Sequence, residues 1–296
     1  MSRELFGHVA QVEVGSIRFP FFGGPEGGGL SMSFEVEKGR SGASNTAKIT
    51  LANLNASDKS AIQGADRETV VSLRAGYRGA DGNEDPPQIF TGSLFHAESE
   101  RAGPDVTTTI EARDGGRQMR RARIAQSFAA GASVETAILA CADALGVGAG
   151  NVRDAAVGAQ LESTGSREFS EGTVLDGWAA AELSELTRSV GLTWVIQSGQ
   201  LMLRRRGEAM QGTAVLLREG TGLLDAKRAG KAHRDAILVT AMLIPDVWPG
   251  RRVRVEYEDI EGTYRVTKTR ETGQTDGDEW TLEAECVPLL AFGGAN

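Results

Sequence analysis

The sequence predicts an α+β, mainly β protein in which two β-barrel-like modules flank a small α/β segment. Three observations favour this class: alternating apolar and polar residues near both ends, a helical period in the middle, and 38 glycines gathered largely in clusters. Clustered glycines are typical of tight turns between short strands. We expect a first module over residues 1–113, an α/β segment of two helices and a hairpin over residues 114–212, and a second module over residues 213–296.

Length and charge limit the classes of function. A chain of 296 residues is long enough for more than one hydrophobic core. Its formal net charge of -8 repels nucleic acid at long range, so duplex binding would need a strong local basic patch. No stretch approaches the length of a membrane span, and Met1–Glu4 leads into strand-like sequence without the apolar core of a signal peptide. We therefore expect a soluble chain that does not insert into membranes.

Two cysteines, Cys141 and Cys286, lie far apart, each within an apolar pattern. Such thiols usually behave as small buried hydrophobic side chains. A disulfide between them is the alternative, although nothing in the sequence requires an oxidising compartment.

Residues 1–113 have the pattern of strands separated by turns. The segment Val106–Ala112 alternates between two faces, with Val106, Thr108, Ile110 and Ala112 on one and Thr107, Thr109 and Glu111 on the other. Such alternation is typical of a sheet with one buried face. A short helix is expected from Ser57 to Ile62. The expected strands are His8–Val14, Ser16–Phe19, Leu30–Val36, Ala47–Leu51, Val70–Tyr77, Ile89–Glu98 and Val106–Ala112.

The middle of the chain changes to a helical period. From Ser133 to Leu145 the apolar residues fall on one stripe of a helix, with Ser133 suited to the N-cap and Gly146 to the position after the C-terminus. A second helix is expected from Val174 to Val190, opened by a capping box of Thr173 with Asp176 and ended by Gly191. Its proposed apolar face consists of Leu175, Trp178, Ala179, Leu183, Leu186 and Val190.

A hairpin follows the second helix, and strands then return. Leu192–Ile196 and Gln200–Leu203 flank Ser198 and Gly199, a pair typical of a two-residue hairpin turn. From about residue 213 onward, apolar and polar residues again alternate, which predicts three half-buried strands. The inward residues of these strands are Val253, Val255 and Tyr257, then Tyr264 and Val266, then Trp280, Leu282, Ala284 and Cys286.

The two β-rich ends repeat one pattern of a strand, a loop, a short glycine-containing segment and a long hairpin. The first copy consists of Val71–Tyr77, Phe90–Leu94 around Gly92, and a hairpin ending in Thr108–Arg113. The second copy consists of Val253–Tyr257, Ile260–Tyr264 around Gly262, and a hairpin ending in Thr281–Cys286. Two unrelated β meanders are the alternative, because strand–loop–hairpin patterns are common.

A real duplication would have a consequence for symmetry. Three copies of a chain with two similar modules present six similar modules around a ring. Interface geometry follows symmetry, so such a ring can contact a six-fold ring on one side and a three-fold object on the other. The repeat therefore favours a symmetry adaptor.

The order of β module, two-helix segment with hairpin, and second β module resembles the phage tail hub, or baseplate hub, family. This family includes the late-control D-type tail proteins and the N-terminal part of type VI secretion spike proteins. The likeness covers nearly the whole chain, and its motifs are individually weak structural signatures. They are Asn45–Leu54, Val70–Gly76, Phe90–Gly92, Ile110–Gly116, Phe169–Gly199 and Leu243–Val255.

The resemblance implies a structural protein and not an enzyme: a homotrimeric, pseudo-six-fold ring that continues the tail-tube channel and anchors the tip. The implied partners are further copies of this chain, the tail tube ring, the tail tip or spike protein, and other baseplate or distal tail proteins. DNA would pass through the channel without specific binding, because a channel wall with net negative charge does not retain it. The implied location is the virion, after synthesis in the host bacterial cytoplasm. No lysozyme-like domain or repetitive β-helix follows residue 296, so those parts are expected on other chains.

Candidate chemistry is sparse, and we expect no catalytic residues, no metal site and no cofactor. His8, His96 and His233 are isolated, and no HxxxH, CxxC or GxSxG spacing supplies a partner. The glycine-rich stretch at residues 23–29 lacks the spacing of a phosphate loop and favours a hairpin tip. A glycan-cleaving acid/base pair could come from four glutamates, Glu168, Glu171, Glu182 and Glu185. The preferred interpretation is that they are charges on an exposed helix face.

Two basic clusters could bind a partner. The first consists of Arg117, Arg120, Arg121 and Arg123, and the second of Arg204, Arg205 and Arg206. Neither has the interleaved aromatic residues that favour nucleic acid. A surface stripe that docks an acidic partner is the preferred interpretation, with a solvated face as the alternative.

Two other functions compete with a hub. A tail-associated cell-wall-degrading enzyme would need paired carboxylates or a Cys/His pair in a cleft, which the sequence does not assemble. A carbohydrate-binding receptor module would need clustered exposed aromatic residues. The four tryptophans instead fall mostly on expected core faces, and they are Trp178, Trp194, Trp248 and Trp280.

Overall fold

The α+β, mainly β prediction is confirmed by the computed structural model of the chain. The structure describes residues 7–22, 28–39, 44–78, 85–114, 121–205, 208–209, 213–229 and 235–289. Within them, one large sheet of 14 strands dominates, and two small two-stranded sheets belong to the middle of the chain.

The elements fall into three consecutive groups. The first β segment contains β1 His8–Val14, β2 Ile17–Phe22, β3 Gly28–Gly29, β4 Met32–Lys38, β5 Thr46–Ala52, α1 Ala56–Gln63, β6 Val70–Tyr77, β7 Gln88–Ala102 and β8 Asp105–Arg113. The middle segment contains β9 Arg123–Phe128, α2 Val134–Ala144, α3 Ala155–Ser163, β10 Thr173–Trp178, α4 Ala179–Ser189, β11 Leu192–Gln197 and β12 Gln200–Arg205. The second β segment contains β13 Val215–Leu217, a 3-10 turn Glu219–Thr221, β14 Leu223–Arg228, β15 Ile237–Met242, β16 Arg252–Tyr257, β17 Ile260–Gln274 and β18 Trp280–Pro288.

The first predicted helix of the middle segment is confirmed with its cap. Ser133 accepts a hydrogen bond from the Glu135 backbone N–H at 3.1 Å, and Gly146 follows the helix with φ of 67°. This positive φ is the left-handed conformation that glycine adopts without strain. The predicted hairpin is also present, since Ser198 and Gly199 both have positive φ between β11 and β12.

The second predicted helix is wrong over its first turn. Residues 173–178 form β10, which pairs with β9, and helix α4 begins only at Ala179. The proposed Thr173 and Asp176 capping box therefore does not exist. Leu175 is buried as predicted, but it points inward with a two-residue period, so Trp178 is 45% exposed and does not lie on the core face. Strand β9 and helix α3 were not predicted at all.

The large sheet joins both ends of the chain. Its hydrogen-bonded order is β14-β15-β18-β17-β4-β5-β8-β7-β6-β1-β2-β3, while β16 pairs with β17 and with β13. The two β segments meet where β4 pairs with β17. Among the residues that the structure describes, the path ends at β14 and at β3, and neither β segment closes into a barrel.

Three hydrophobic clusters fill the three groups of elements. The first lies within the first β segment and also includes Leu243 and Trp280 from the second. The middle cluster packs α2, α3 and α4 against β9 to β12. The third cluster lies within the second β segment. Because Leu243 and Trp280 cross the boundary, the two β segments share core as well as backbone hydrogen bonds.

The second β segment repeats the strand order of the first. In one, the order is β4-β5-β8-β7-β6; in the other, it is β14-β15-β18-β17-β16. Strands β7 and β17 each contain 15 residues, and each shifts register at the same position from its start, after Leu94 and after Val266. When β7 and β17 are aligned at this shift, Gly92 corresponds to Tyr264, whereas the sequence repeat matched it with Gly262. The difference is two residues, so each side chain still corresponds to one on the same face of the sheet.

Gly92 is expected to tolerate replacement less well than Gly262. An added Cβ at Gly92 would lie 2.5 Å from the Arg113 carbonyl oxygen, which is held in the backbone of β8. At Gly262 it would lie 3.2 Å from the Tyr264 ring, a side chain that would have to move by only a few tenths of an ångström. We expect Gly92→Ala to lower the free energy of unfolding by about 1–3 kcal/mol and Gly262→Ala by less than about 1 kcal/mol. Urea denaturation of both variants checks this, and equal losses would contradict it.

Candidate functional site

The seam between the two β segments is the candidate functional site, because it sets how the repeated halves are arranged. We define the seam as Ser33–Lys38 of β4 and Thr269–Gln274 of β17. The two strands run antiparallel, with Lys38 opposite Thr269 and Ser33 opposite Gln274. A backbone ladder of this kind fixes both the distance and the register of its two halves.

A buried ion pair crosses the seam. Lys38 Nζ lies 2.5 Å from Glu271 Oε1, and the side chains are 2% and 0% exposed. Burial raises the pKa of Glu271, while the charge of Lys38 and the hydrogen bond from it act in the opposite direction. A buried charge without a partner is very unfavourable, so each side chain requires the other. The pair therefore holds the seam in one register.

Exposed charges form a second set of contacts on the outer face of the seam. Arg270 lies 2.8 Å from Glu35, and Lys268 lies 3.4 Å from Glu37. The hydrogen bond and charge of Glu35 raise the pKa of Arg270. Exposed pairs contribute little to stability. Their arrangement instead gives the seam a polarity, with acidic groups on β4 and basic groups on β17.

Aromatic rings close the end of the seam. Trp280 contacts Phe34 edge-on at 5.2 Å and stacks on His8 at 4.6 Å. Gly273 makes room for them, since a Cβ there would lie 2.3 Å from the Phe34 ring. Burial lowers the pKa of His8, while the charge of Asp278 acts in the opposite direction. His8 is therefore a packing residue at this position.

A buried polar junction connects the first β segment to the middle segment. The Asn45 backbone N–H donates to Asp114 Oδ1 at 2.8 Å, and Asn45 Nδ2 donates to Asp114 Oδ2 at 2.6 Å. Asn45 Nδ2 also lies 3.4 Å from the Ile196 carbonyl oxygen on β11. Burial raises the pKa of Asp114 to about 7, and the Asn45 hydrogen bonds and the Lys38 charge oppose this rise.

The remaining predicted site residues lie apart from the seam. His96 is exposed on β7, with Nε2 3.5 Å from Glu98 Oε2, and His233 lies outside the described residues. Of the four glutamates proposed as an acid/base pair, Glu168 and Glu171 precede β10 and are exposed. Glu182 and Glu185 lie on α4, where Glu182 is half-buried and Glu185 is exposed. No group of three or more potential metal ligands occurs in the described parts of the chain.

The basic clusters divide in a similar way. Arg117, Arg120 and Arg206 lie outside the described residues, as does the glycine-rich stretch at residues 23–27. Arg121 and Arg123 are exposed, and the Arg123 guanidinium lies 4.4 Å from the centre of the Trp178 ring. Arg204 Nη1 donates to the Glu208 carbonyl oxygen at 2.9 Å, and burial lowers the pKa of Arg204. The described part of the second cluster thus contacts its own chain.

Both cysteines are buried and free, so the prediction of two buried thiols is confirmed. Burial raises the pKa of Cys141 and of Cys286 to about 12. Thiols with such pKa values are largely unreactive near neutral pH, because the thiolate is the nucleophile.

Of the tryptophans, Trp194 and Trp280 are buried as predicted, and Trp248 is half-buried. A cavity of about 40 Å³ beside α3 and β12 has room for a few water molecules. Within the described ranges, no helix has both the length and the apolar character needed to cross a bilayer.

Sequence reasoning missed the seam and the junction, although one signal for the seam was present. In β4, Met32, Phe34 and Val36 are buried, and Lys38 continues the same alternation. A charged residue at an inward position needs a buried partner of opposite charge. Glu271 occupies the corresponding inward position of β17, but no local pattern indicates that the two strands are neighbours.

These features define the fold shared by phage tail proteins and a type VI secretion component, and the resemblance to the tail hub family is confirmed at the level of the fold. The 43 kDa tail protein of prophage MuSo2 from Shewanella oneidensis matches with a TM-score of 0.61 at 11% identity, over 95% of this chain and 97% of that chain. The tail protein from Neisseria meningitidis MC58 matches with a TM-score of 0.58 at 10% identity, over 95% and 96%.

A third similar structure comes from a secretion system. The E. coli c3393 protein, a component of the type VI secretion system with structural similarity to T4 bacteriophage tail proteins gp27 and gp5, matches with a TM-score of 0.50 at 9% identity. The match covers 94% of this chain and 76% of that chain. No protein-family model and no curated protein matches the chain.

Proposed function

We propose that this chain is a structural tail hub protein, three copies of which form a pseudo-six-fold ring between the tail tube and the tail tip. The observation that carries the proposal is the repeated strand order, β4-β5-β8-β7-β6 and β14-β15-β18-β17-β16, with the register shift at matching positions. Each chain then offers two similar halves at a fixed spacing, so three chains present six.

The seam supports this proposal by making the two halves one rigid unit. A ladder of backbone hydrogen bonds, the buried Lys38 and Glu271 pair and the shared Trp280 side chain resist rotation of one half against the other. An adaptor needs this rigidity, because six positions on a ring must stay equally spaced. We include the division into residues 1–113, 114–212 and 213–296 in the proposal, and the three hydrophobic clusters support it.

The proposed partners are the tail tube ring on one face, the tip or spike protein on the other, and neighbouring baseplate or distal tail proteins. The ring would enclose the channel through which DNA passes, and the chain would reside in the virion. We propose assembly without catalysis, supported by a fold that it shares with tail proteins. No cofactor enters this function.

Single-particle analysis of the purified full chain tests the proposal. We expect mass photometry to show an assembly three times the 31.3 kDa mass of one chain, and class averages to show three-fold symmetry with six similar lobes. Addition of tube or spike protein should increase the ring fraction if the ring alone is weak. Monomer alone at high concentration, with no ring when those proteins are added, would overturn the proposal.

A further inference from the structure

Several strand edges in the described structure have no hydrogen-bonded partner, and two of them lie on β14 and β7. Strand β14 pairs with β15 along one edge only. Strand β7 pairs with β8 along one whole edge, but β6 covers only Gln88–Ser93 of the other. The edge of β7 from Ala97 to Ala102 therefore has no paired strand in the described structure, and neither has the outer edge of β14. Exposed edges of this kind are templates for pairing with another chain.

The repeat identifies these edges as counterparts of the seam. Because β7 corresponds to β17 at the register shift, Ala97–Ala102 corresponds to Thr269–Gln274, the part of β17 that β4 covers. The same correspondence can be traced across the two segments from one strand to its paired neighbour. The first path runs from β7 through β8 and β5 to β4, and the second runs from β17 through β18 and β15 to β14. At their ends, Phe34 of β4 corresponds to Ala226 of β14, and Glu35 corresponds to Lys227. The free edge of β14 thus corresponds to the edge of β4 that forms the seam.

We propose that β14 of one copy pairs with Ala97–Ala102 of β7 in the next copy, in the register of the seam. Lys227 then lies opposite Glu100, Ala226 opposite Arg101, and Arg228 opposite Ser99. This pairing rests on the proposed ring and specifies its contact between copies. Intrachain seams and interchain seams alternate around the ring, three of each, so that every half meets its neighbours through the same type of ladder.

Charge supports this occupant over others. Lys227 is exposed on the outer face, and so are Glu98 and Glu100. In the seam, the acidic group is Glu35 on β4 and the basic group is Arg270 on β17. The polarity is therefore reversed between the two contacts, while the outer face of each contact remains complementary.

The reversed polarity also disfavours wrong pairings, because like charges opposite each other in a sheet are destabilising. Strand β14 against β17 would bring Lys227 toward Arg270. Strand β4 against β7 would bring Glu35 toward Glu98 and Glu100. Two β7 edges, or two β14 edges, would also repel, which favours a head-to-tail ring over a two-fold dimer.

The proposed contact differs from the seam in strength. Ser99 corresponds to Glu271, so the interchain ladder has no counterpart of that buried carboxylate. The pairing of β14 with β15 skips Leu224, which lies between Leu223 and Asp225. This irregularity precedes the residues of β14 that take part in the proposed pairing, so it does not interrupt their register. Arg228 and Arg101 fall on the opposite face, where Arg228 contacts Asp259 at 3.4 Å. Because no buried charge in this contact requires a partner from the other copy, we expect free copies to form and break it before assembly.

Disulfide cross-linking tests the register in the full chain. Glu100→Cys with Lys227→Cys places two thiols directly opposite, whereas His96→Cys with Lys227→Cys separates them by about 13 Å along the strand. Native Cys141 and Cys286 are buried and do not compete. We expect oxidation to give covalent dimers and closed trimers from the first pair only.

Each outcome is decisive. Rings without cross-links, or with equal cross-links from both pairs, would overturn the register and leave the proposed ring standing. Absence of rings under all conditions would overturn both.

Charge exchange provides a second test that does not depend on cysteine chemistry. Glu98→Lys with Glu100→Lys should raise the concentration for half assembly by about tenfold, and adding Lys227→Glu should restore it to within about threefold. Glu171→Lys, an exposed change outside both edges, is the control and should have no effect. Failure of Lys227→Glu to restore assembly would contradict the proposed pairing.

Discussion

Replacement of Glu271 by leucine is expected to lower the free energy of unfolding by about 3–5 kcal/mol. The reason is that Lys38, only 2% exposed, would keep its ammonium group in the seam without the carboxylate 2.5 Å away. In the described structure the side-chain hydrogen bond of Lys38 goes to Glu271, and the charge of Asp114 acts on Lys38 without a hydrogen bond between them. Urea denaturation followed by tryptophan fluorescence and circular dichroism measures the loss.

Two controls separate the buried charge from loss of packing. Lys38→Met with Glu271→Leu removes both charges at similar volume and should recover to within about 1–2 kcal/mol of the natural chain, because a buried pair is often no more stable than an apolar one. Glu35→Gln removes an exposed pair with Arg270 in the same seam and should cost less than about 1 kcal/mol. A double variant as unstable as Glu271→Leu would contradict this account.

Protonation of Asp114 is expected to make the stability of the chain depend on pH near neutrality. Burial raises the pKa of this carboxyl from 3.8 to about 7 in the folded protein. Below pH 3.8 the carboxyl is neutral in both states, so the folded protein carries no penalty. Between about pH 4 and pH 7 only the unfolded chain ionises, and stability falls as pH rises. Above pH 7 the loss is complete, at roughly 2–4 kcal/mol.

The comparison that isolates Asp114 is Asp114→Asn. An amide cannot ionise, so the variant lacks this part of the pH dependence, although it replaces one acceptor facing Asn45 by a donor and should be about 1 kcal/mol less stable than the natural chain near pH 4. Because only the natural chain then loses roughly 2–4 kcal/mol, free energies of unfolding measured from pH 4 to pH 8 should cross, with the variant the more stable protein at pH 8. Parallel curves over that range would show that Asp114 does not titrate there.

Strands with one buried face were predictable from sequence, because burial of one face imposes a two-residue period. The inward residues of β18 are all buried and alternate with less buried ones. The predicted bounds Val70–Tyr77 agree with β6 at both ends, although β6 does not alternate, since Val71, Ser72 and Leu73 are all buried. Helix α2 was predictable for the same reason, with a helical period and a cap at Ser133.

Elements with few buried residues were not predictable. Helix α3 buries only Val157 and Leu161, and β9 buries only Ile124 and Phe128, too few to establish a period. Strand β10 was mistaken for the start of α4 because Leu175 and Ala179 also fit a helical spacing. The pairing of β10 with β9, a partner far away in sequence, decides the matter in the structure.

The seam and the junction lay beyond sequence reasoning for a related reason. Inward Lys38 indicates that a partner exists, but its position opposite β17 follows from the global order of strands. Asp114 follows β8 as an ordinary polar residue would, and its burial beside Asn45, which contacts Ile196 of β11, appears only in the folded structure.

The distance along the chain between the two sides of the seam affects how this protein folds. Lys38 and Glu271 are separated by 233 residues, so their contact carries a large loop-closure entropy and forms late. Until β17 is in place, β4 offers a bare edge and an unpaired lysine to solvent, which resists burial and discourages premature pairing with other chains. We therefore expect the lysine that fixes the finished architecture also to disfavour aggregation of the nascent protein.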